Sequence, residues 1–409
     1  MAAIRTSHAG SLPRTPELIE ANKVKQAQNH ARLAGESVSD AETKEFDELL
    51  AASVVDLVKR QKNLGISLPN DGEYGHSMAA DFDYGAWWHY SFARTGGLEL
   101  DNVDKWDAPA VRSEPGKTVL TSFGDRRDRN LFPGVYGDAN AGTDTGQQPQ
   151  FPKATSAISY IGHDQVASDI KNLKTGLAAA GYGEREGYIN ALSPGSASRI
   201  ANEYYKSDEE FIWAWADVLR EEYLAITEAG LTVQIDDPSL AENFDQINPE
   251  PSFDDYRAFI QVRIDALNHA LRGIDPAQVR LHTCWGSWHG PHVTDLPFKE
   301  IVDQVLSVNA GGITFEAANV RHEHEWRIWE DTKLPEGKYI IPGIVSHSTN
   351  VVEHPELVAD RIERFAKLVG PENVVASTDC GLGGRVHPEI AVAKLQSLTQ
   401  GAEIASKRF

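Results

Sequence analysis

Cysteine is nearly absent from this chain, with two in 409 residues. A disulfide framework is therefore excluded, and the role of cysteine reduces to two positions, Cys284 and Cys380. Long apolar runs are absent too. None approaches the ~20 residues of a membrane span, so no helical membrane segment is expected. The stretch Met1-Ala2-Ala3-Ile4-Arg5-Thr6-Ser7-His8 lacks the apolar core of a secretion signal. The expected location is the cytoplasm, where thiols stay reduced. Cations are in deficit: 39 Lys and Arg against 60 Asp and Glu give a formal charge of −21. That excludes a general nucleic-acid binder, which would present a basic face. It favours solubility and leaves a homo-oligomer open.

What is present is a regular alternation. Eight short segments read as strands, at 4–8, 66–71, 187–191, 232–236, 279–284, 312–316, 339–345 and 373–379. Most are continuous apolar or β-branched runs, the pattern of strands buried on both faces. Helical spacing separates most of them, over 16–64, 208–229, 252–271, 297–308, 355–368 and 391–409. Strand–helix alternation predicts a parallel sheet. Eight such units predict a (β/α)8 TIM barrel over residues 1–409. Residues 72–186 break the pattern and read as an insertion between strands 2 and 3 that covers one barrel face. Within it stand an aromatic cluster at 84–90, a hairpin joining 97–100 to 118–123, a Gly/Pro/Asp-rich stretch at 133–152 and a helix at 163–180.

Both cysteines fall at predicted strand ends. Leu281-His282-Thr283-Cys284 closes the fifth strand, Glu316 the sixth, and Cys380 follows the eighth. The period of two along a strand points His282 and Cys284 to one face. Imidazole, thiolate and carboxylate are zinc ligands, so His282, Cys284, Glu316 and Cys380 form a candidate four-ligand set. A cysteine is more often a small buried hydrophobe. The barrel changes that balance, because catalytic groups gather where its strands end. Other polar residues finish strands as well: His8, Ser11, Glu73, Ser193, Asp236, Asp237 and His347.

Two chemistries suit such a site. A zinc hydrolase activates water and is usually built from histidines and carboxylates. Two thiolates make zinc a poorer Lewis acid toward water. They suit a site that takes a substrate thiol, lowers its pKa from ~8.5 and keeps it nucleophilic. The reaction expected is alkyl transfer to sulfur. A barrel that binds zinc or a thiol without turnover is the third alternative.

The same residues resemble the cobalamin-independent methionine synthase family. The resemblance rests on Thr6-Ser7-His8-Ala9-Gly10-Ser11-Leu12-Pro13-Arg14, Asp71-Gly72-Glu73 and Gln234-Ile235-Asp236-Asp237-Pro238. It continues in His282-Thr283-Cys284, Glu316 and Ser377-Thr378-Asp379-Cys380-Gly381-Leu382, with Pro342-Gly343-Ile344-Val345 and His347 a looser match. The resemblance implies a zinc barrel in which His282, Cys284, Glu316 and Cys380 bind the metal. It implies that Ser11, Glu73 and Asp236 hold the amino-acid end of homocysteine, and that His347 protonates the leaving group of the methyl donor. Full-length folate-dependent members carry two barrels, and this chain shows one. Ala191-Leu192-Ser193-Pro194-Gly195-Ser196-Ala197-Ser198 lacks the tryptophan that folate-using members place there. Single-barrel relatives include methionine synthases with other methyl donors and epoxyalkane:coenzyme M transferases, which open epoxides with a zinc-bound thiol. The partners implied are a thiol, homocysteine or coenzyme M, and an alkyl donor. For a coenzyme M sulfonate the candidate cations are Arg14, Arg199 and Arg321, each otherwise an ordinary scaffold residue.

Three further signals are weaker. His322-Glu323-His324-Glu325 resembles a metal cluster, but its loop composition reads as a solvated helix start. Trp285, Trp288, His289 and His292 either line a pocket or pack the loop. Trp87-Trp88 either caps the site or packs the insertion's own core.

Overall fold

The computed structural model describes residues 3–36, 43–78, 85–101, 108–138, 140–143 and 151–409. In chain order the main elements are β1 (Arg5–Thr6), α1 (Pro16–Leu33), α2 (Thr43–Asn63), α3 (Ala86–Ala93), β2 (Thr95–Leu100) and β3 (Pro152–Tyr160). There follow α4 (His163–Ala180), β4 (Tyr188–Leu192), β5 (Ala201–Asn202), α5 (Asp208–Glu228), β6 (Thr232–Asp236), α6 (Phe253–Ala270) and β7 (Val279–His282). The chain closes with β8 (Gly312–Phe315), β9 (Tyr339–Val345), α7 (Pro355–Val369), β10 (Val375–Thr378) and α8 (Pro388–Ser406).

Seven strands form one parallel sheet in the order β1-β10-β9-β8-β7-β6-β4. Parallel strands need crossovers, and most of those here are helical. The segment expected as the second strand, 66–71, is not a regular strand. Pro69 removes one N–H, and Ser67 N and Leu68 N converge on a single carbonyl instead of stepping along a ladder. The segment nevertheless joins both ends of the sheet. Ser67 N and Leu68 N donate to Thr6 O of β1, each at 3.0 Å. Tyr188 N of β4 donates to Pro69 O at 3.1 Å, and Asn70 bridges Tyr188 in parallel sense.

The helices follow from local signals. Ser207 caps α5 by accepting Glu210 N, and Asp208, Glu209 and Glu210 in the first turn complement the helix dipole. Phe211, Trp215, Leu219, Tyr223 and Ile226 recur at helical spacing and are all buried. Ser252 caps α6 in the same way. Helix pairs α2–α4, α5–α6 and α7–α8 pack side by side around the sheet.

Three expectations change in detail. The long helix at 16–64 is two helices, α1 and α2. The helix at 297–308 is a 3-10 turn, Phe298–Glu300, and a short helix, Val302–Leu306. The hairpin partner of β2 is not 118–123. Strand β2 pairs antiparallel with β3, which also pairs parallel with β5. Residues near 121 are held elsewhere, since Thr121 N donates to Gln246 O and Ser113 N to Asn248 O. Tyr84 of the aromatic cluster and much of the Gly-rich stretch at 133–152 lie outside the described residues.

Candidate metal and thiol site

The site lies at the C-terminal ends of the parallel strands. His282 is the last residue of β7, and Thr283 N donates to Thr314 O at 3.1 Å, carrying the extended backbone on to Cys284. Cys380 stands two residues after β10, Glu316 one after β8, and His347 two after β9. One nitrogen of His282 and the sulfurs of Cys284 and Cys380 lie within 4.8 Å of one another. Glu316 groups instead with His347 and Asp379, again within 4.8 Å. The structure therefore brings three of the four expected ligands together and sets the fourth in an adjoining cluster.

Ser11, Glu73, Asp236, His282, Cys284 and Cys380 all line one pocket. Glu73 reaches it from a tight turn: Gly72 N donates to Asn70 Oδ1 at 2.7 Å and Glu73 N to Asp71 Oδ1 at 3.0 Å. Glu73 is held at φ 57°, a strained value for a non-glycine residue. Asp236 ends β6, where Asn190 Nδ2 donates to one carboxylate oxygen at 2.9 Å and Gln234 Nε2 to the other at 3.0 Å. Gly10 is required here. With φ 137°, a Cβ on it would stand 2.3 Å from both Glu73 Oε1 and Asn190 Nδ2.

Acid groups are crowded and dry. Burial raises the Asp236 carboxyl to about 7, and the Glu73 charge adds to it. Burial likewise raises Glu316 to about 8, helped by Asp379 and Cys380. The cysteines act on each other. The Cys380 sulfur, and then burial, push the Cys284 thiol up. The hydrogen bond from Cys284 brings the Cys380 thiol down against its burial, with His282 assisting. His282 is buried, which opposes its charge, but Cys380, Asp236 and Glu316 outweigh this and raise its pKa. Its Nε2 has no hydrogen-bond partner. Buried acids raised by confinement, beside an orphaned imidazole nitrogen, are what a bound cation relieves.

The donor set fits zinc: one imidazole and two thiols converge, with a carboxylate adjacent. Glu316 keeps its place through Trp285 N, which donates to Oε1 at 3.0 Å, and through Asn319 Nδ2 on Oε2. His347 is 2 % exposed and stands outside the pocket lining. Burial lowers its pKa to about 3, against the opposing charge of Cys380, so the imidazole is neutral at neutral pH.

The opposite wall comes largely from the region at 72–186 and the loop after Cys284. Trp87, Trp88, Phe123 and Phe151 line it with Arg126, Arg199 and Trp288. Trp88 does both things proposed for it, lining the pocket while packing on Phe151 at 4.8 Å. Trp288 also lines the pocket, whereas Trp285 is buried against His322 at 4.0 Å. Arg199 is paired with Glu242, Arg14 donates to the carbonyls of Glu73 and His76, and Arg321 donates to Val293 O. His322 is not a solvated helix start. It is buried between Asp295 and Glu325, and its cluster is absent from the metal-competent groups among the described residues.

Residues 194–404 match the family model for the cobalamin-independent synthase catalytic domain. The chain belongs to this family. Its similar curated proteins include the methionine synthase of Thermococcus kodakarensis, 26% identical over 209 residues, or 51% of this chain and 54% of that one. The methionine synthase of Saccharolobus islandicus strain L.S.2.15 is 27% identical over 212 residues, with the same shares of 51% and 54%. The chain spans about half the length of these curated relatives. Among solved structures, a B12-independent methionine synthase from Shewanella sp. W3-18-1 in complex with selenomethionine superposes with a TM-score of 0.67 at 19% identity, covering 100% of this chain and 99% of that one. A putative vitamin-B12 independent methionine synthase from Listeria monocytogenes gives 0.61 at 17% identity, covering 99% and 98%. At such identities the likeness shows the fold. Among the described residues, no helix is long and apolar enough to cross a membrane.

The sequence reading missed Asn190, Gln234 and Gly10, which set the direction of Asp236 and Glu73. The signal for Gly10 was present in Ala9-Gly10-Ser11. Gln234 opens the motif Gln234-Ile235-Asp236, but its role in orienting the carboxylate was not legible there, and Asn190 looks like any polar interruption of a strand.

Proposed function

We propose that this chain is a zinc-dependent transferase that activates a thiol for S-alkylation, with homocysteine as the thiol and methionine as the product. The observation that carries the reading is a single pocket lined by His282, Cys284 and Cys380 at one place and by Glu73 and Asp236 beside them. In this reading the sheet and the bridging segment 66–70 form a (β/α)8 barrel spanning 1–409, and 72–186 is its insertion.

His282, Cys284 and Cys380 would hold the zinc, with Glu316 as the fourth ligand. Zinc bound there lowers the pKa of a joining thiol and keeps its sulfur nucleophilic at neutral pH. Glu73 and Asp236 take the ammonium of the amino acid, and the Ser11 hydroxyl takes its carboxylate. Asn190 and Gln234 keep Asp236 facing the pocket. Trp88 and Trp288 line the pocket, where their apolar rings would limit the access of water, the competing nucleophile. In this reading His347 would pass a proton to the leaving group of the alkyl donor, which requires that its neutral, buried imidazole first take up a proton and gain access to the pocket it now stands outside. Coenzyme M has no ammonium and leaves the two carboxylates unmatched, which favours homocysteine.

A thiol screen tests the proposal. Homocysteine and coenzyme M are offered with methyl-folate, methylcobalamin or small epoxides, and the S-alkylated product is measured. Methionine is the expected product. Coenzyme M alkylation alone would replace the substrate assignment, and hydrolysis with no thiol product would overturn the transferase reading.

A further inference from the structure

Glu316 and Cys380 leave strands β8 and β10, which are not neighbours, because β9 runs between them. One side chain spans that gap. Asp379, fully buried, accepts Ala317 N at 2.7 Å and Ala318 N at 2.9 Å through a single oxygen, Oδ1. Those amides follow Glu316 directly, and Asp379 precedes Cys380 directly. Its own N–H donates to Val345 O at the end of β9. The crossing is tight. A Cβ on Gly343 of β9 would stand 2.2 Å from Asp379 Oδ1, so β9 carries glycine where the carboxylate passes over it.

We propose that Asp379 is a positioning residue that fixes the separation of Glu316 and Cys380, and so the affinity of the site for zinc. This rests on the zinc reading above. Three strand ends meet at one residue: its backbone N–H joins β9, and its carboxylate reaches past β9 to the end of β8, which no backbone ladder can do across an intervening strand. The role requires reach and an acceptor at Oδ1. It does not require charge. Arg361 ties the same rim from the other side, donating to Ile344 O at 3.0 Å and to Ala318 O at 3.3 Å. Loss of Asp379 therefore leaves the rim tethered.

The test compares zinc affinity, measured by competition with a chromophoric chelator, in full-length wild type and in Asp379→Asn, Asp379→Glu and Asp379→Ala. The thermal midpoint of each metal-free protein is read alongside. Asn keeps the acceptor and the reach, so its affinity should stay within about threefold of wild type. Glu keeps the charge but not the reach, and Ala keeps neither. Both should lose about 10- to 100-fold, the usual range for residues that orient metal ligands. Should Asp379→Ala fail to fold, the comparison of Asn with Glu still decides. Affinity retained by Glu and lost by Asn would overturn the inference in favour of a charge effect. Equal affinity in all folded variants would overturn it outright. A wild-type protein that binds no zinc overturns the zinc reading and this inference with it.

Discussion

Asn190 Nδ2 donates to Asp236 Oδ2 at 2.9 Å, and Asn190 Oδ1 accepts in turn from Asn70 Nδ2 at 3.0 Å. This relay runs from the segment bridging the sheet ends to the carboxylate in the pocket. It fixes Asp236 where an ammonium would meet it together with Glu73. Asp236→Asn should weaken homocysteine binding by ~1.5–3 kcal/mol, the worth of a hydrogen bond to a charged group. Zinc content should not change. Calorimetric titration of the zinc-loaded variant checks this, and an unchanged affinity would point to a thiol without an ammonium.

Arg94 carries a stability prediction. It pairs with Asp169 on α4 and Glu222 on α5, and all three side chains are buried. Arg94→Met would leave two buried carboxylates uncompensated. Removing one partner of a buried ion pair typically costs ~3–5 kcal/mol. Urea unfolding should show a loss of that size. A loss under about 1 kcal/mol would mean that the carboxylates find protons or water at little expense.

Glu242 carries the pH prediction. Burial would raise its carboxyl, but Arg199 and Arg126 outweigh that and hold it down to about 2. A carboxyl depressed in the folded state contributes stability that is complete above its unfolded pKa of ~4.3. That contribution is lost as pH falls toward about 2. The stability difference between wild type and Glu242→Gln should therefore shrink between pH 5 and 2. Denaturant unfolding across that window gives the answer, and a constant difference would contradict the assignment.

Much of the strand pattern was legible in the sequence because parallel strands are buried on both faces and read as unbroken apolar runs. The strands at 232–236 and 339–345 appear in the structure with those bounds. The segment at 66–71 carries Ser67, Asn70 and Asp71 among its apolar residues, and it makes an isolated bridge and converging hydrogen bonds to Thr6 O in place of a regular ladder. Strand β2 was paired with the wrong partner because antiparallel pairing depends on long-range closure, which local patterns do not encode. His282, Cys284 and Cys380 were legible because their chemistry is rare and their places lie at strand ends. Glu316 was legible by position, but its present partners, Trp285 N and Asn319, come from contacts that spacing does not report. The aromatic and arginine wall was legible only in part: Trp87, Trp88, Trp288 and Arg199 stood out as candidates, whereas Phe123, Phe151 and Arg126 did not. Trp88, Phe123, Phe151 and Trp288 meet only after residues far apart in the chain fold over the strand ends.

The central claim is that zinc held by His282, Cys284 and Cys380 activates a thiol. Proton release on homocysteine binding tests it most directly, measured by calorimetry in buffers of different ionisation enthalpy. The zinc-loaded protein should release about one proton per chain at neutral pH, because the bound form is the thiolate. Metal-free protein and the Cys284→Ser/Cys380→Ser variant should release none. Binding to the zinc-loaded protein without proton release, or equal release from the metal-free protein, would contradict the account.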